Sequence, residues 1–167
     1  MIAGAQKGQA DVHVDERGDG TPCELLAFRS GGRRCAIDIG DVREIRSWSA
    51  PTPLPHAPPH LLGLVNLRGT VLPVTDLAVL LDAGPTASDP RNVIVVAERS
   101  DRMHGLLVEA VSEIVRTQRE EIKAIPTQTT EGPLGDLSRG ILIGEEMTHV
   151  LDLGRILTAP GVDEVSR

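Results

Sequence analysis

The chain has 167 residues, of which 40% are hydrophobic and 25% charged, a composition typical of one globular domain or of two small lobes that share a core. Its formal net charge is −7 and no segment concentrates Lys and Arg, so the sequence argues against binding to nucleic acid. Only 1% of the residues are aromatic. The core must therefore be built from Leu, Ile, Val and Ala, which suits β-strands rich in branched side chains.

No apolar run approaches the ~20 residues that a helix needs to span a bilayer. The N-terminus also lacks the charged segment followed by an apolar segment that marks a secretory signal. We therefore expect a cytoplasmic location without membrane insertion. Residues 1–21 are rich in Gly, Asp and Gln without a sustained apolar period, and we interpret them as a disordered tail.

The first predicted hairpin joins Glu24–Phe28 to Arg34–Ile39 through the turn Gly31-Gly32. In the second strand Cys35, Ile37 and Ile39 face one side and Arg34, Ala36 and Asp38 the other, which indicates a half-buried strand. The hairpin register places Phe28 opposite Cys35 and leaves Cys23 and Cys35 about 16 Å apart along the strands. That separation is too long for a disulfide, so we expect two free thiols.

A proline-rich loop and a second hairpin follow. Five prolines between Pro51 and Pro59 exclude a regular helix there. Strands Leu64–Leu67 and Thr70–Leu72 then flank Arg68-Gly69, where Gly69 can adopt a positive φ. Arg68 is unusual at such a tip, where Asn, Asp or Gly is favoured. A fixed cation on a rigid hairpin indicates contact with a partner or a structural ion pair.

The remaining elements are short. Asp76 is a good N-cap and Gly84 a good stop for a helix over Asp76–Asp82. A linker near residues 84–91 divides the chain into two similar halves, which we expect to correspond to two lobes. In the second half we predict a hairpin of Asn92–Ala97 with Met103–Ala110, a polar turn over Gln118–Ala124 and a loop over Thr129–Ser138. Two strands follow, Gly140–Ile143 and His149–Leu151, then a terminal helix over Leu153–Leu157 and a tail over residues 160–167.

Many short strands at ~8–12-residue spacing predict an all-β barrel or sandwich with short helices. Long helices between the strands are absent, which disfavours a parallel α/β sheet.

Catalytic and metal-binding patterns are missing from the sequence. His56 and His60 have a four-residue spacing that binds metal only on a helix, and the prolines between them exclude one. No G-x-S-x-G, Gly-rich phosphate loop or H-E-x-x-H occurs, and the carboxylates near Glu113, Glu120 and Glu145 form no recognisable acid–base pair. We therefore expect a protein that is not an enzyme and has no metal or cofactor, with its function on its surfaces.

The central hairpin also carries a resemblance. The segment from Leu61 to Leu77 closely resembles the central motif of the CheW family, adaptors that couple chemoreceptors to the CheA histidine kinase. Six further segments follow the family's order and spacing: Ala36–Ile39, Val42–Arg46, Leu54–Pro58, Asn92–Val96, Gly105–Ile114, and Gly140–Leu142 leading to Val150–Leu153.

The resemblance implies a CheW-like domain over residues 22–159, built from two packed five-stranded SH3-like barrels with a groove between them. It also implies a non-catalytic adaptor at receptor arrays. One surface would bind the tip of a chemoreceptor (a methyl-accepting chemotaxis protein), and another the regulatory domain of a CheA-type kinase.

The resemblance further implies two sets of contact residues. Receptor-binding residues would be Val42, Glu44, Arg68, Val93 and Ile94, and kinase-binding residues would be Gly63, Leu64, Arg68 and Gly105. Each has a plainer reading: an exposed ion pair for Glu44 with Arg68, core packing for the apolar residues, and a strand irregularity for the glycines.

Three residues depart from the family pattern. Cys35 and His60 stand where aromatics are common, and Thr75 stands where an aliphatic is usual. Such departures leave open an adaptor of a related chemosensory pathway, for example one that controls pili or development. A small β-barrel with a ligand pocket is a further alternative, although the sequence supplies no convergent polar set for one.

Overall fold

The computed structural model describes residues 20–124, 138–159 and 161–162. Within these ranges the chain forms ten strands, two short α-helices and two 3-10 turns. The strands are β1 Pro22–Ser30, β2 Arg33–Asp38, β3 Val42–Ser47, β4 Leu61–Leu67, β5 Thr70–Asp76, β6 Val93–Arg99, β7 Arg102–Val108, β8 Ala110–Gln118, β9 Ser138–Ile143 and β10 Glu146–Leu151; the helices are α1 Leu77–Leu80 and α2 Leu153–Leu157, and the 3-10 turns are Ile39–Asp41 and Arg119–Glu121.

The strands form two five-stranded sheets. The first sheet has the order β8-β1-β2-β10-β9 and the second the order β3-β6-β7-β5-β4. This confirms the predicted all-β class with two five-stranded units and short helices. The register of the first hairpin is also as predicted, with Phe28 opposite Cys35, and Asp76 caps α1 by accepting a hydrogen bond from the Ala78 amide at 3.1 Å.

The linker near residues 84–91 does not separate the two sheets, so the predicted division into lobes at that point is wrong. Strands β1 and β2 precede the linker but pair with β8 and β10, which follow it. Strands β6 and β7 follow it but complete the sheet of β3, β4 and β5. Each half of the chain therefore gives its first hairpin to the sheet that the other half builds.

The two halves are nevertheless repeats. Val42-Arg43-Glu44-Ile45 in β3 matches Val111-Ser112-Glu113-Ile114 in β8 at an offset of 69 residues. The pairing registers share this offset, since Glu44 lies opposite Val96 and Glu113 lies opposite Ala27. Both pairings also contain a register shift next to these residues. The linker thus marks the boundary between repeats.

Strands β3 and β8 did not emerge from the sequence pattern as separate elements. In β3, half-buried Val42, Glu44 and Arg46 alternate with exposed Arg43, Ile45 and Ser47. Because charged residues lie on the half-buried face and an isoleucine on the exposed one, the usual alternation of apolar and polar residues is obscured.

A backbone bridge links the two edges of each sheet. Thr52, which follows β3, exchanges two hydrogen bonds of 2.8 Å with Leu64 of β4. Lys123, which follows β8, bridges Gly140 of β9 in the same way, with distances of 2.8 and 2.6 Å. The bridges pair backbone groups that an open sheet edge would leave exposed.

The main hydrophobic core lies between the two sheets, and we call it the inter-sheet core. It combines residues of both sheets and both helices: Leu26, Phe28, Cys35, Ile37, Leu77, Leu81, Val95, Ala97, Leu106, Val108, Leu151, Leu153, Ile156, Leu157 and Val162. Val162 is 1% exposed, so the prediction that residues 160–167 are a tail is wrong at this residue.

The predicted N-terminal tail and the loop over Thr129–Ser138 lie mostly outside the described residues. At the end of the former, the Thr21 carbonyl accepts a hydrogen bond from the Arg119 amide at 3.0 Å. At the end of the latter, Ser138 begins β9.

Both cysteines are free, as predicted, and both are buried. Burial raises the pKa of the Cys35 thiol to about 12. The strand that carries it is less one-sided than the sequence indicated, because Ala36, predicted on the opposite face, is also fully buried. Ala36 packs with Cys23 and Leu25 in a smaller cluster on the other side of the first sheet.

A buried polar pair explains one departure from the family pattern. The Thr75 hydroxyl lies 2.7 Å from Nε2 of His104, and neither residue is exposed to solvent. Burial, with smaller contributions from His60 and Arg102, lowers the pKa of His104 to about 4. His104 is therefore neutral at physiological pH, and Thr75 supplies a hydrogen-bonding partner that an aliphatic side chain could not.

We predict that Gly63→Ala strongly destabilises the protein. Gly63 has a φ of 144°, and an added Cβ would lie 2.1 Å from the Thr52 carbonyl oxygen, at the bridge that links the edges of the second sheet. Backbone cannot move aside as a side-chain end can, so we expect a loss of roughly 3 kcal/mol in the free energy of unfolding. Gly84→Ala is the control, since Gly84 also has a positive φ but nothing lies within 4 Å of its added Cβ. Equal losses in urea denaturation would contradict the prediction.

We also predict that His104 makes stability depend on pH. The unfolded chain binds a proton at His104 near its ordinary pKa of 6.5, whereas the folded chain binds it only near 4. Stability should therefore be complete above pH 6.5 and fall as the pH drops towards 4, by about 3 kcal/mol. Urea titrations across this range should show a shallower dependence in His104→Gln. The same slope in the variant and the parent would show that His104 does not cause it.

Candidate functional site

The tip of the β4–β5 hairpin holds an arginine in an uncommon backbone conformation. Arg68 has a φ of 49° and Gly69 a φ of 89°. The sequence predicted a positive φ for Gly69, but not for Arg68. The Asn66 side chain accepts a hydrogen bond from the Gly69 amide at 2.8 Å. Positive φ at both central residues is the geometry of a two-residue hairpin turn, and Ser100 and Asp101 adopt it in the β6–β7 turn. Arginine is the uncommon choice of residue for such a position.

From this tip, the Arg68 guanidinium donates a hydrogen bond to the carboxylate of Glu44 in β3. The ion pair that was the plainer reading of these two residues is therefore present. Glu44 also lies 3.8 Å from the guanidinium of Arg46. Since β3 and β4 are the two edges of the second sheet, the Glu44–Arg68 pair spans from one edge to the hairpin that contains the other.

The pair is too exposed to contribute much to stability. The Arg68 side chain is 73% exposed and that of Glu44 is 27% exposed. Ion pairs with this exposure contribute ~0–1 kcal/mol. The pair instead orients the Arg68 guanidinium beside the half-buried carboxylate of Glu44. The turn that carries Arg68 is held by the hydrogen bond between Asn66 and the Gly69 amide.

The apolar residues predicted for receptor contact divide between two faces. Val42 and Val93 are half-buried and pack against the inter-sheet core. Ile94, the neighbour of Val93 in β6, points to the opposite face and is 1% exposed. It packs in the core of the second sheet with Leu67, Leu72, Val74 and Val96. Ile94 is thus placed as a core residue, whereas Val42 and Val93 lie where the two sheets meet.

Gly63 and Gly105, predicted for kinase contact, are both buried at points of close packing. An added Cβ on Gly105 would lie 2.9 Å from Cγ2 of Ile94. Leu64 is half-buried and uses its backbone to pair with Thr52 and Pro73. These three residues share the second sheet with Arg68, and their positions agree with the plainer reading of close packing and strand irregularity.

Sequence reasoning missed several residues near the tip. Arg46 is a second cation beside Glu44, and Asn66 binds the turn. The second sheet and its flank also expose large apolar side chains, those of Ile45, Trp48 and Val71. Of these, Asn66 had a sequence signal, since Asn often binds the backbone of a following turn.

An open cleft lies at one end of the first sheet. It has a volume of about 470 Å³ and lies between the start of β1, the end of β2 and the end of β8. Its charged groups include two ion pairs, Arg116 with Glu24 at 2.7 Å and Arg119 with Asp38 at 3.9 Å. Among the described residues no cluster of three or more His, Cys, Asp or Glu could hold a metal ion. No helix in the same ranges is long and apolar enough to cross a membrane.

Comparisons with known proteins agree with this architecture. The family model for the CheW-like domain matches residues 24–161. The chain is 41% identical over 131 residues to a probable chemotaxis protein CheW of Rhizobium etli, covering 78% of this chain and 84% of that one. It is 47% identical over 105 residues to chemotaxis protein CheW of Rhizobium meliloti, covering 62% and 66%.

A solved structure shows the same fold. The crystal structure of scaffolding protein TtCheW from Thermoanaerobacter tengcongensis matches 96% of each chain with a TM-score of 0.75 at 22% sequence identity. The family match over most of the chain and the identity to the Rhizobium etli protein establish the relationship. The protein belongs to the CheW-like domain family.

Proposed function

We propose that the protein is a non-catalytic chemotaxis adaptor that couples the tip of a chemoreceptor to the regulatory domain of a CheA-type histidine kinase. The observation that carries the proposal is the Glu44–Arg68 pair, held on a turn with an uncommon backbone conformation. The family match and the names of the relatives support the role of adaptor. The adaptor would act in the cytoplasm, at receptor arrays, without a cofactor.

The receptor-binding surface would lie where the two sheets meet. Val42 and Val93 are half-buried there, and Glu44 lies on the same strand as Val42. A receptor's helical tip could bring an apolar stripe to the valines while its polar residues meet Glu44 and Arg68, as in helix-in-groove recognition. Ile94 would contribute indirectly. Its side chain is buried and packs β6 against the core of the second sheet.

The kinase-binding surface would lie on the hairpin of β4 and β5. Arg68 is the most accessible of the proposed kinase contacts. Gly63 and Gly105 would act by allowing the close packing that shapes this part of the second sheet, and Leu64 by its half-buried side chain.

Holding receptor and kinase on one rigid domain raises the effective concentration of each at the other. Receptor states that bind the adaptor–kinase unit differently then shift the kinase equilibrium by a coupling free energy.

An adaptor of a related chemosensory pathway would bind through the same surfaces and would differ only in its partners. The other alternative, a ligand-binding barrel, has less support, because the charged groups that line the cleft by β1 and β8 are largely paired with one another. Binding to a CheA-type regulatory domain separates the adaptor readings from the ligand-binding one.

We predict that Arg68→Ala leaves the protein folded but impairs kinase activation in a reconstituted receptor complex. The pair contributes ~0–1 kcal/mol to stability, so thermal unfolding should change little. Arg68→Glu should be worse, because it places a second carboxylate beside Glu44. The double swap Glu44→Arg with Arg68→Glu should restore part of the activity if the pair acts by shaping the tip, and none if Arg68 contacts the partner directly.

Arg116→Ala and Arg116→Glu are matched controls. Arg116 forms an exposed ion pair with Glu24 at 2.7 Å on the first sheet, away from the proposed site. These variants change the same charges without touching the tip and should activate the kinase normally. Normal activation by both Arg68 variants would contradict the proposed function, as would an equal loss in the Arg116 variants.

A further inference from the structure

The motif Asn-Leu-Arg-Gly at the hairpin tip contains one polar residue to which the proposed function gives no role. Asn66 is exposed and lies on β4, two residues before Arg68. Its amide oxygen accepts a hydrogen bond from the Gly69 amide at 2.8 Å. The contact therefore encloses Arg68 within a loop of four residues.

The conformation that this loop imposes on Arg68 is one that the residue does not favour by itself. A positive φ brings Cβ of an L-residue close to its own backbone, which disfavours this conformation. Arg68 has a φ of 49°, and its ion pair with Glu44 is too exposed to hold that conformation. The pairing of Leu67 with Thr70 closes the two-residue turn, and the Asn66 side chain adds a polar contact to it.

The repeat in the chain supplies an internal comparison. Hairpin β9–β10 occupies in the first sheet the place that β4–β5 occupies in the second, since Gly140 lies opposite His149 as Leu64 lies opposite Pro73, both at an offset of 76 residues. In this register Gly144 stands at the position of Arg68, and Leu142 at that of Asn66. Gly144 has a φ of 68°, which costs glycine nothing.

The tips of β4–β5 and β9–β10 thus differ both at the tip residue and at the position two residues before it. Where the tip residue is Gly, the position of the amide holds Leu142, whose side chain cannot accept a hydrogen bond and is 64% exposed. Where the tip residue is Arg, the amide is present and binds the turn. The amide contact is thus present at the tip that holds Arg68 and absent at the tip that holds Gly144.

We propose that Asn66 is a positioning residue for Arg68. By binding the Gly69 amide, Asn66 holds Arg68 in the left-handed conformation from which its guanidinium reaches Glu44 and is presented to the partner. The inference rests on the proposed function of Arg68, and it adds that partner affinity depends on an exposed side chain that need not touch the partner. Restricting the tip before binding reduces the conformational entropy that binding would otherwise lose.

The first test measures the turn without a partner. In Asn66→Ala the amide hydrogen of Gly69 should exchange with solvent several times faster than in the parent, because its acceptor is gone. Asn66→Asp keeps an acceptor oxygen and should retain most of the protection. Unchanged exchange in Asn66→Ala would overturn the inference whatever Arg68 does in binding.

The second test is a double-mutant cycle. It measures the affinity of the full chain for a CheA-type regulatory domain and for a receptor-tip fragment. Loss of one hydrogen bond that orders Arg68 should weaken binding about three- to tenfold in Asn66→Ala, and Asn66→Asp should restore most of it. Because Asn66 acts through Arg68, the double variant with Arg68→Ala should bind no more weakly than Arg68→Ala alone.

Gly144→Ala serves as the control for strain at a hairpin tip. It introduces a positive-φ alanine with nothing within 4 Å of its Cβ, at the equivalent turn of the first sheet, and should leave affinity unchanged. A further loss of affinity from Asn66→Ala in the Arg68→Ala background would overturn the positioning role alone. Normal affinity of Arg68→Ala for both partners would instead overturn the proposed function, and the exchange result would then describe only the turn.

Discussion

The structure depends on apolar contact between its two sheets. Phe28 and Ile37 enter the inter-sheet core from the first sheet, and Val95 and Leu106 enter it from the second. Burying one such side chain contributes about 1.5–3 kcal/mol, which exceeds what an exposed ion pair can add. Phe28 is the only phenylalanine of the chain and is fully buried here. The core thus relies on branched side chains, as the low aromatic content indicated.

The exchange of hairpins makes this core an obligatory contact between the halves of the sequence. Neither half builds a five-stranded sheet alone, because β1 and β2 complete the sheet of the second half and β6 and β7 that of the first. The candidate site is assembled in the same way. Val42, Glu44 and Arg68 come from the first half and Val93 from the second, so their arrangement forms only when the halves have combined.

Local features of the fold were accessible from the sequence. Turn residues, strand alternation and caps placed the hairpins around Gly31 and Gly69, the hairpin of Asn92–Ala97 with Met103–Ala110, and the helix that begins after Asp76. These signals act within a few residues. Membership of a sheet was not accessible, since it depends on pairing between distant segments. The pattern of two similar halves naturally suggested two lobes, whereas strand pairing exchanges a hairpin between them.

Contacts between distant segments were likewise not accessible from local sequence patterns at the candidate site. The proximity of Glu44 and Arg68 came from the family resemblance, because their strands lie at opposite edges of the sheet and no local pattern joins them. Burial of Ile94 beside half-buried Val93 followed from strand geometry but required knowing which face was covered. The pairing of His104 with Thr75 needed three-dimensional neighbours, because the two residues lie 29 positions apart.

The exchanged repeat has a consequence for asymmetry. Two separate half-length chains that swapped hairpins in this way would form a symmetric dimer, and both ends would necessarily carry the same residue at the tip. Joining the halves in one polypeptide removes that constraint. Glu44 and Glu113 occupy equivalent positions in register, while one tip carries Arg68 and the other Gly144. A single chain can thus present different side chains at its two hairpin tips, which a homodimer of halves could not do.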